Sequence, residues 1–285
     1  MARPLRLHVP GMVYHVMSRG NGRQVIFTDD RDYERYLELL ERSARRFGVR
    51  CLAYCLLGNH VHLVLQAGDI SISPMMQQLN STFAQWFNRR HGRVGHVFQG
   101  RFKALLVETP GYFRRLLRYV VLNPVTAGFT TTPEGWQWSS YRATIGLDAC
   151  PGFLCVEGIW GELDAPNESD GKNRFAEYVN EATDESIPQR VLILGSQPFV
   201  ERFRPLLAAH RKIRDFVRAE RFADRPPLSE LFRALPDRIR VAVAARRAFQ
   251  EHAYTLREIG MALGRPPATV WFWIHRVARA ADAIA

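Results

Sequence analysis

Hydrophobic positions change their period along the chain, and the changes mark out elements. Residues 12–18 (MVYHVMS) alternate as a strand does, a turn rich in Gly, Asn and Arg follows at 19–24, and an amphipathic helix is predicted over 31–47, stopped by Gly48. Two further strands are predicted at 50–57 and 60–66, joined by the short Gly58-Asn59 turn of a hairpin. A long helix over 73–90, a strand over 97–108 and a helix over 110–122 stopped by Pro124 complete the series. The order β-α-β-β-α-β-α is a split βαβ pattern. It predicts an α+β fold of the ferredoxin or RRM type, an antiparallel sheet with helices on one face and the other face left free.

Beyond residue 146 the pattern loosens. The stretch 147–200 carries Pro151, Gly152, Gly158, Gly161, Pro166, Gly171 and Pro188 and reads as an acidic connector with at most short helices. From 201 to 285 the period is helical throughout, which predicts an all-helical domain. Within it, at about 255–280, lies a helix-turn-helix pattern: Thr255 and Glu258 form a T-x-x-E capping box, Leu256, Ile259 and Leu263 share a face, and Gly264 supplies the turn. In the second helix Val270, Ile274 and Val277 point inward. Trp271, Trp273, His275 and Arg276 then point elsewhere, where they can meet duplex DNA, although an ordinary helical hairpin would show the same spacing.

Charge adds a partner class. The 285 residues carry a formal net charge of +11. Residues 1–145 hold 19 basic against 9 acidic side chains, 146–200 hold 3 against 10, and 201–285 hold 17 against 9. Almost every basic residue is arginine; the lysines are Lys103, Lys172 and Lys212. Guanidinium forks suit phosphate oxygens, so two basic blocks around an acidic middle point to a polyanion. No apolar run of 18 or more residues and no secretory signal pattern occurs, so the chain reads as cytoplasmic, without a membrane role. Its four cysteines fit neither paired zinc clamps nor a disulfide framework.

Two short constellations can carry chemistry. In Asn59-His-Val-His-Leu-Val-Leu65 the two imidazoles sit at i and i+2 of a predicted strand, on one face and roughly 7 Å apart, where they can converge on a divalent ion. Paired histidines without metal also occur. In Tyr119-Val-Val-Leu-Asn123, Tyr119 and Asn123 lie about 40° apart on one helix face at the border of the apolar stripe, with Arg115 on the polar side. A tyrosine so placed can simply pack with its hydroxyl in water.

Together these segments resemble the REP-associated tyrosine transposases, of the HUH single-tyrosine transposase family. The resemblance is carried by YHVMSRGNGRQVIF (14–27), GNHVHLVL (58–65), FQGRFK (98–103) and RYVVLNPVTAG (118–128), in that order, over about residues 8–146. Leu57-Gly58-Asn59 departs from the Met-Pro-Asn common in the family, a change to the turn more than to the histidines. The resemblance implies a catalytic domain over 1–146, Tyr119 as nucleophile, and a divalent metal ion, Mg²⁺ or Mn²⁺, held by His60, His62 and Asn123. It further implies a monomer that cuts and rejoins single-stranded DNA beside the hairpin of a repetitive extragenic palindrome through a 5′-phosphotyrosine bond. The tail is similar to the helix-turn-helix of the bacterial replication initiator. Arg19, Arg23, Arg101, Lys103 and Arg115 are the expected phosphate contacts, Phe102 a candidate for base stacking, and Trp271 and Arg276 the expected contacts of the C-terminal domain. A catalytically inactive DNA-binding regulator and an RNA-binding module are the competing readings.

Overall fold

The computed structural model describes residues 7–109, 111–181, 187, 192–206, 226–233, 235, 237–250, 252 and 254–274. The chain divides into two compact units, Arg6–Val200 and Glu201–Ala285.

In the first unit β1 (Val13–Arg19), α1 (Asp30–Phe47), β2 (Arg50–Leu57), β3 (His60–Gln66), α2 (Ile72–Arg90), β4 (Lys103–Val107) and α3 (Tyr112–Thr126) follow the predicted α+β order. The sheet order is β2-β3-β1-β4-β5, where β5 (Ile193–Leu194) adds a short parallel edge to an otherwise antiparallel sheet. Helix α1 ends where predicted because Gly48, at φ 63°, adopts the left-handed conformation that closes a helix.

Alternation along β1 divides the sheet into two faces. Tyr14, Val16 and Ser18 point one way, toward α1 and α2: Asn80 of α2 donates to the Ser18 hydroxyl (2.8 Å), and Tyr36 of α1 donates to the Asn80 carbonyl oxygen (3.3 Å). His15, Met17 and Arg19 point the other way, opposite Val64, His62 and His60 of β3. This second face is not bare. Helix α3 packs over β2 and β3, so the expected free face is roofed along part of its length.

Three further spans depart from expectation. Pro124 does not stop α3, which runs on to Thr126; placed in the last turn, the proline removes only the bond its N–H would make to the Val120 carbonyl. The predicted strand over 97–108 shortens to β4, because Gly95 and Gly100 at positive φ (94° and 73°) turn residues 95–102 into a loop clipped to β1: Asn21 N–H donates to Val97 O, and Gln99 N–H to Arg19 O. The acidic stretch is more than a connector. It carries α4 (Tyr141–Thr144, at its border), α5 (Glu157–Glu162), α6 (Glu168–Asn180) and the sheet edge β5, with α6 packed on α3, where the Arg118 guanidinium lies 5.4 Å from the centre of the Tyr178 ring. Helix α7 (Gln197–Arg202) follows β5.

The second unit holds α8 (Leu228–Leu231), α9 (Arg238–Gln250), α10 (Leu256–Leu263) and α11 (Pro267–Phe272). The capping box is present in full, with Thr255 accepting from Glu258 N–H and the Glu258 carboxylate accepting from Thr255 N–H. Gly264 closes α10 at φ 61°. Gly260 allows the turn to fold back tightly, since a Cβ there would stand 2.5 Å from the Arg265 carbonyl oxygen. Ala245, Ala248, Tyr254, Ile259, Val270 and Ile274 form the core of this helical hairpin.

Candidate nucleic-acid cleavage site

The site grows from the hairpin β2-β3 and its neighbour β1. Gly20, just past β1, has its N–H on Asn59 O (2.8 Å), which ties the 20–24 turn to the tip of the hairpin. That turn tolerates no side chain at residue 20, where a Cβ would meet Gln24 O at 2.0 Å. Asn59 is held in a defined orientation: its amide NH₂ donates to Arg23 O (3.0 Å), so its side-chain oxygen faces His60 Nδ1 at 2.6 Å. An amide oxygen can only accept. His60 therefore carries its proton on Nδ1 and presents the lone pair of Nε2 outward.

His62 is fixed from the other side. Its ring stands 5.0 Å from that of His60 and lies 5.1 Å from that of His15, nearly coplanar with it, the His15 Nε2 being 2.9 Å from His62 Nδ1. Met17 faces His62 directly across the strands, so His15 reaches it diagonally. The three imidazoles stay uncharged near neutrality. Burial brings His15 down to about 3, burial together with the Arg19 guanidinium brings His60 down to about 4, and His62 falls well below its ordinary value through burial, with His15, His60 and Arg19 adding to the effect. Neutral imidazoles offer lone pairs.

Above them stands α3. The Tyr119 ring is 5.6 Å from His62 and 5.8 Å from His15, edge-on to both. One turn later, the Asn123 amide NH₂ donates to Tyr119 O (2.7 Å), which leaves the Asn123 side-chain oxygen as the remaining acceptor. The sequence-predicted His60, His62 and Tyr119 thus come together, with Asn123 on the adjoining turn of the same helix. Among the described residues no group of three or more His, Cys, Asp or Glu side chains is arranged to hold a metal ion. What the site offers is two imidazole nitrogens and one amide oxygen, a donor set that suits a divalent ion still carrying water or phosphate oxygens.

Residues 8–122 match the family model described as "Transposase IS200 like". The matched segment includes His15, His60, His62 and Tyr119 and ends one residue before Asn123. Among solved structures, the chain is similar to a REP-associated tyrosine transposase bound to a REP hairpin, at 18% identity over 55% of this chain and 90% of that one with a TM-score of 0.45. It is also similar to a candidate transposase from Deinococcus radiodurans R1, at 17% identity over 42% and 96% with a TM-score of 0.31. No curated protein sequence matches it.

The first unit gathers most of its predicted cations at one end of the sheet. Arg19 closes β1 opposite His60, Lys103 opens β4 opposite Met17, Arg23 lies in the turn held by Asn59, and Arg101 precedes Lys103; all four are exposed. Arg115 is elsewhere. It sits one turn before Tyr119, its guanidinium 5.6 Å from the centre of the Tyr112 ring, in a cavity shared with Glu108, Tyr178 and Glu181 toward the start of α3. Phe102 is buried at 3% exposure and does not offer a stacking face. In the second unit Trp271 is exposed, whereas Trp273 is buried against Ala242, with Arg238 over its ring, and is no DNA contact. His275 and Arg276 lie outside the described residues. No helix among the described residues is long and apolar enough to cross a membrane.

Sequence reasoning did not single out His15, Gly20 or the orienting role of Asn59. A signal for His15 was present: a histidine in the interior of an otherwise apolar strand, Tyr14-His15-Val16-Met17, is a polar group placed where burial is costly unless it has a partner.

Proposed function

We propose that this chain is a single-strand DNA endonuclease and strand transferase in which Tyr119 is the nucleophile and His60, His62 and Asn123 hold a divalent ion, Mg²⁺ or Mn²⁺. The observation that carries the reading is the placement of the Tyr119 ring 5.6 Å from His62, beside two imidazoles whose Nδ1 atoms are both engaged, which leaves their Nε2 atoms as the candidate ligand atoms. The family supports a transposase; the site supports this division of labour.

The ion, when bound, withdraws charge from the scissile phosphate and lowers the cost of attack on an anion. The protein's own groups do the rest. Arg19, Arg23, Arg101 and Lys103 bind the phosphates of a single strand at the sheet end, and Tyr119 Oη attacks phosphorus. The bond from phosphorus to the 3′ oxygen breaks as the bond to Tyr119 forms; the phenolic proton is given up and the departing 3′ oxygen takes one up. A 5′-phosphotyrosyl linkage and a free 3′-OH result, so the bond is conserved and a second 3′-OH can reverse the step. The substrate is a strand with a hairpin of the repetitive extragenic palindrome kind, and the helix-turn-helix adds duplex affinity through the exposed face around Trp271.

Incubating the protein with an end-labelled single-stranded hairpin oligonucleotide and Mn²⁺ tests this directly. A denaturing gel should show a covalent adduct that maps to Tyr119 and disappears in Tyr119→Phe. No adduct, or one that persists in Tyr119→Phe, overturns the assignment; an adduct formed equally on matched RNA overturns the substrate class.

A further inference from the structure

We propose that His15 is a positioning residue for His62, accepting the His62 Nδ1–H on its own Nε2 and so holding the His62 ring with the Nε2 lone pair toward the ion. The inference rests on the reading of His60 and His62 as ligands.

Geometry comes first. His15 is 1% exposed on β1, with Val64 and Leu105 as its cross-strand neighbours. Its ring lies beside that of His62, nearly coplanar with 19° between planes, and Tyr119 stands edge-on to both. The 2.9 Å between His15 Nε2 and His62 Nδ1 leaves room for one proton. With that proton on His15, His62 bears its hydrogen on Nε2 and has no lone pair to give. With it on His62, Nε2 is a donor to the ion. The second arrangement is the one the neighbouring histidine already shows, because Asn59 can only accept and so places the His60 proton on Nδ1.

Among the described residues His15 has no other polar partner. Among the described residues its Nδ1 is buried with no hydrogen-bond partner, and the polar contact that offsets the burial of this ring is the one to His62. The two histidines of the H-x-H strand are thus oriented by different means: His60 by a side-chain amide at the hairpin tip, His62 by a third imidazole on the adjacent strand. Outer partners of this kind typically set metal affinity by 10–100-fold.

Mn²⁺ titration followed by electron paramagnetic resonance, on wild type, His15→Phe and His15→Gln, tests the assignment without requiring catalysis. Phenylalanine keeps the ring and loses the acceptor; glutamine loses the ring and places a carbonyl oxygen near the Nε2 position. Phe is expected to weaken Mn²⁺ binding by about 10–100-fold and Gln to stay within about fivefold of wild type. A pure packing role gives the reverse order, with Phe near wild type and Gln impaired, and overturns the proposal, as does equal weakening by both. Nitrogen-15 spectra of the Mg²⁺-loaded wild type supply the second readout, since His62 must carry its hydrogen on Nδ1 and a hydrogen on Nε2 contradicts the assignment. A wild type that binds no Mn²⁺ brings down the ligand reading itself, and this inference with it; normal wild-type binding with an unaffected His15→Phe brings down this inference alone.

Discussion

The ring of Tyr119 stands 5.6 Å from that of His62, at 79° between planes, although the two residues arrive from different elements, the roofing helix α3 and the strand β3. In the proposed reaction, phenol and imidazole therefore need no large rearrangement to meet one phosphate. The same contact is structural, because the Tyr119 ring also covers His15. Tyr119→Phe keeps both edge-on contacts and should lower the urea midpoint less than removal of the whole ring. Tyr119→Ala opens a gap above two buried rings and should cost about 2 kcal/mol. Equal midpoints for the two variants would show that the ring is not part of the packing.

Asn59 acts on His60 through a single hydrogen bond and on the 20–24 turn through another. Removing its amide frees the His60 ring and unties Arg23 without touching an atom proposed to hold the ion. Asn59→Ala is expected to lower Mn²⁺ affinity by about tenfold, whereas His60→Ala should bring it below detection. Calorimetric titration of both variants separates the roles, and a wild-type affinity in Asn59→Ala contradicts the orienting function.

Three neutral histidines, two buried and one half-buried, make the protein sensitive to acid in the absence of metal. An unfolded histidine takes up a proton near pH 6.5, while the folded chain keeps His15 neutral down to about 3 and His60 down to about 4. Between these limits the unfolded state binds more protons, so stability is fully present above about pH 7 and falls as pH drops below 6.5. Each fully buried imidazole contributes a slope of up to about 1.4 kcal/mol per pH unit. Urea midpoints in the presence of a chelator at pH 7.5, 6 and 5 should decline accordingly, and His15→Phe should decline less steeply than wild type. A midpoint that holds steady from 7.5 to 5 removes the basis for neutral burial.

How far the sequence reveals this arrangement depends on the interaction involved. Strands β2 and β3 are legible to the residue because alternation and the Gly58-Asn59 turn are local signals, and the His60–His62 pair follows from them. Tyr119 and Asn123 are legible as a helix face, but which sheet face α3 covers is a long-range property that no local period encodes, and so the roof over the histidines was not foreseen. The role of His15 needs the register between β1 and β3, since its partner is the diagonal neighbour 47 residues away. The Gly- and Pro-rich composition of 147–200 hides α6, whose start is set by a local cap: the Asn167 side chain accepts from Asp170 N–H. Phe102 and Trp273 show the same limit, because an aromatic residue looks alike in a sequence whether it faces solvent or core.

Asp32 joins the helical layer on the side of the sheet away from the site. Its carboxylate is wholly buried and is met by Arg90 (2.6 Å), His91 (2.9 Å) and Thr28 N–H (2.7 Å). Arg90 also pairs with Asp29, so the end of α2 is fastened to the start of α1. Asp32→Ala leaves these donors without their shared acceptor and should cost about 2–4 kcal/mol in urea unfolding, without changing the Mn²⁺ affinity of the folded protein. A loss under about 0.5 kcal/mol would mean that solvent replaces the carboxylate at no cost.

The four cations at the sheet end can be told from Arg115 by salt. Each phosphate neutralised on a single strand contributes about −0.7 to the slope of log affinity against log salt, so a strand lying along Arg19, Arg23, Arg101 and Lys103 should give a slope near about −3. Arg19→Ala or Arg23→Ala should make the slope shallower by about 0.7 and weaken binding at low salt. Arg115 lines the cavity with Glu108 and Glu181 near the start of α3, away from that end, so Arg115→Ala should leave the slope where it is. Fluorescence anisotropy with a labelled single-stranded hairpin from 50 to 300 mM salt, values chosen to span roughly physiological ionic strength, measures all three variants. A drop for Arg115→Ala equal to that for Arg19→Ala would carry the strand over the roof of α3 rather than along the open end of the sheet.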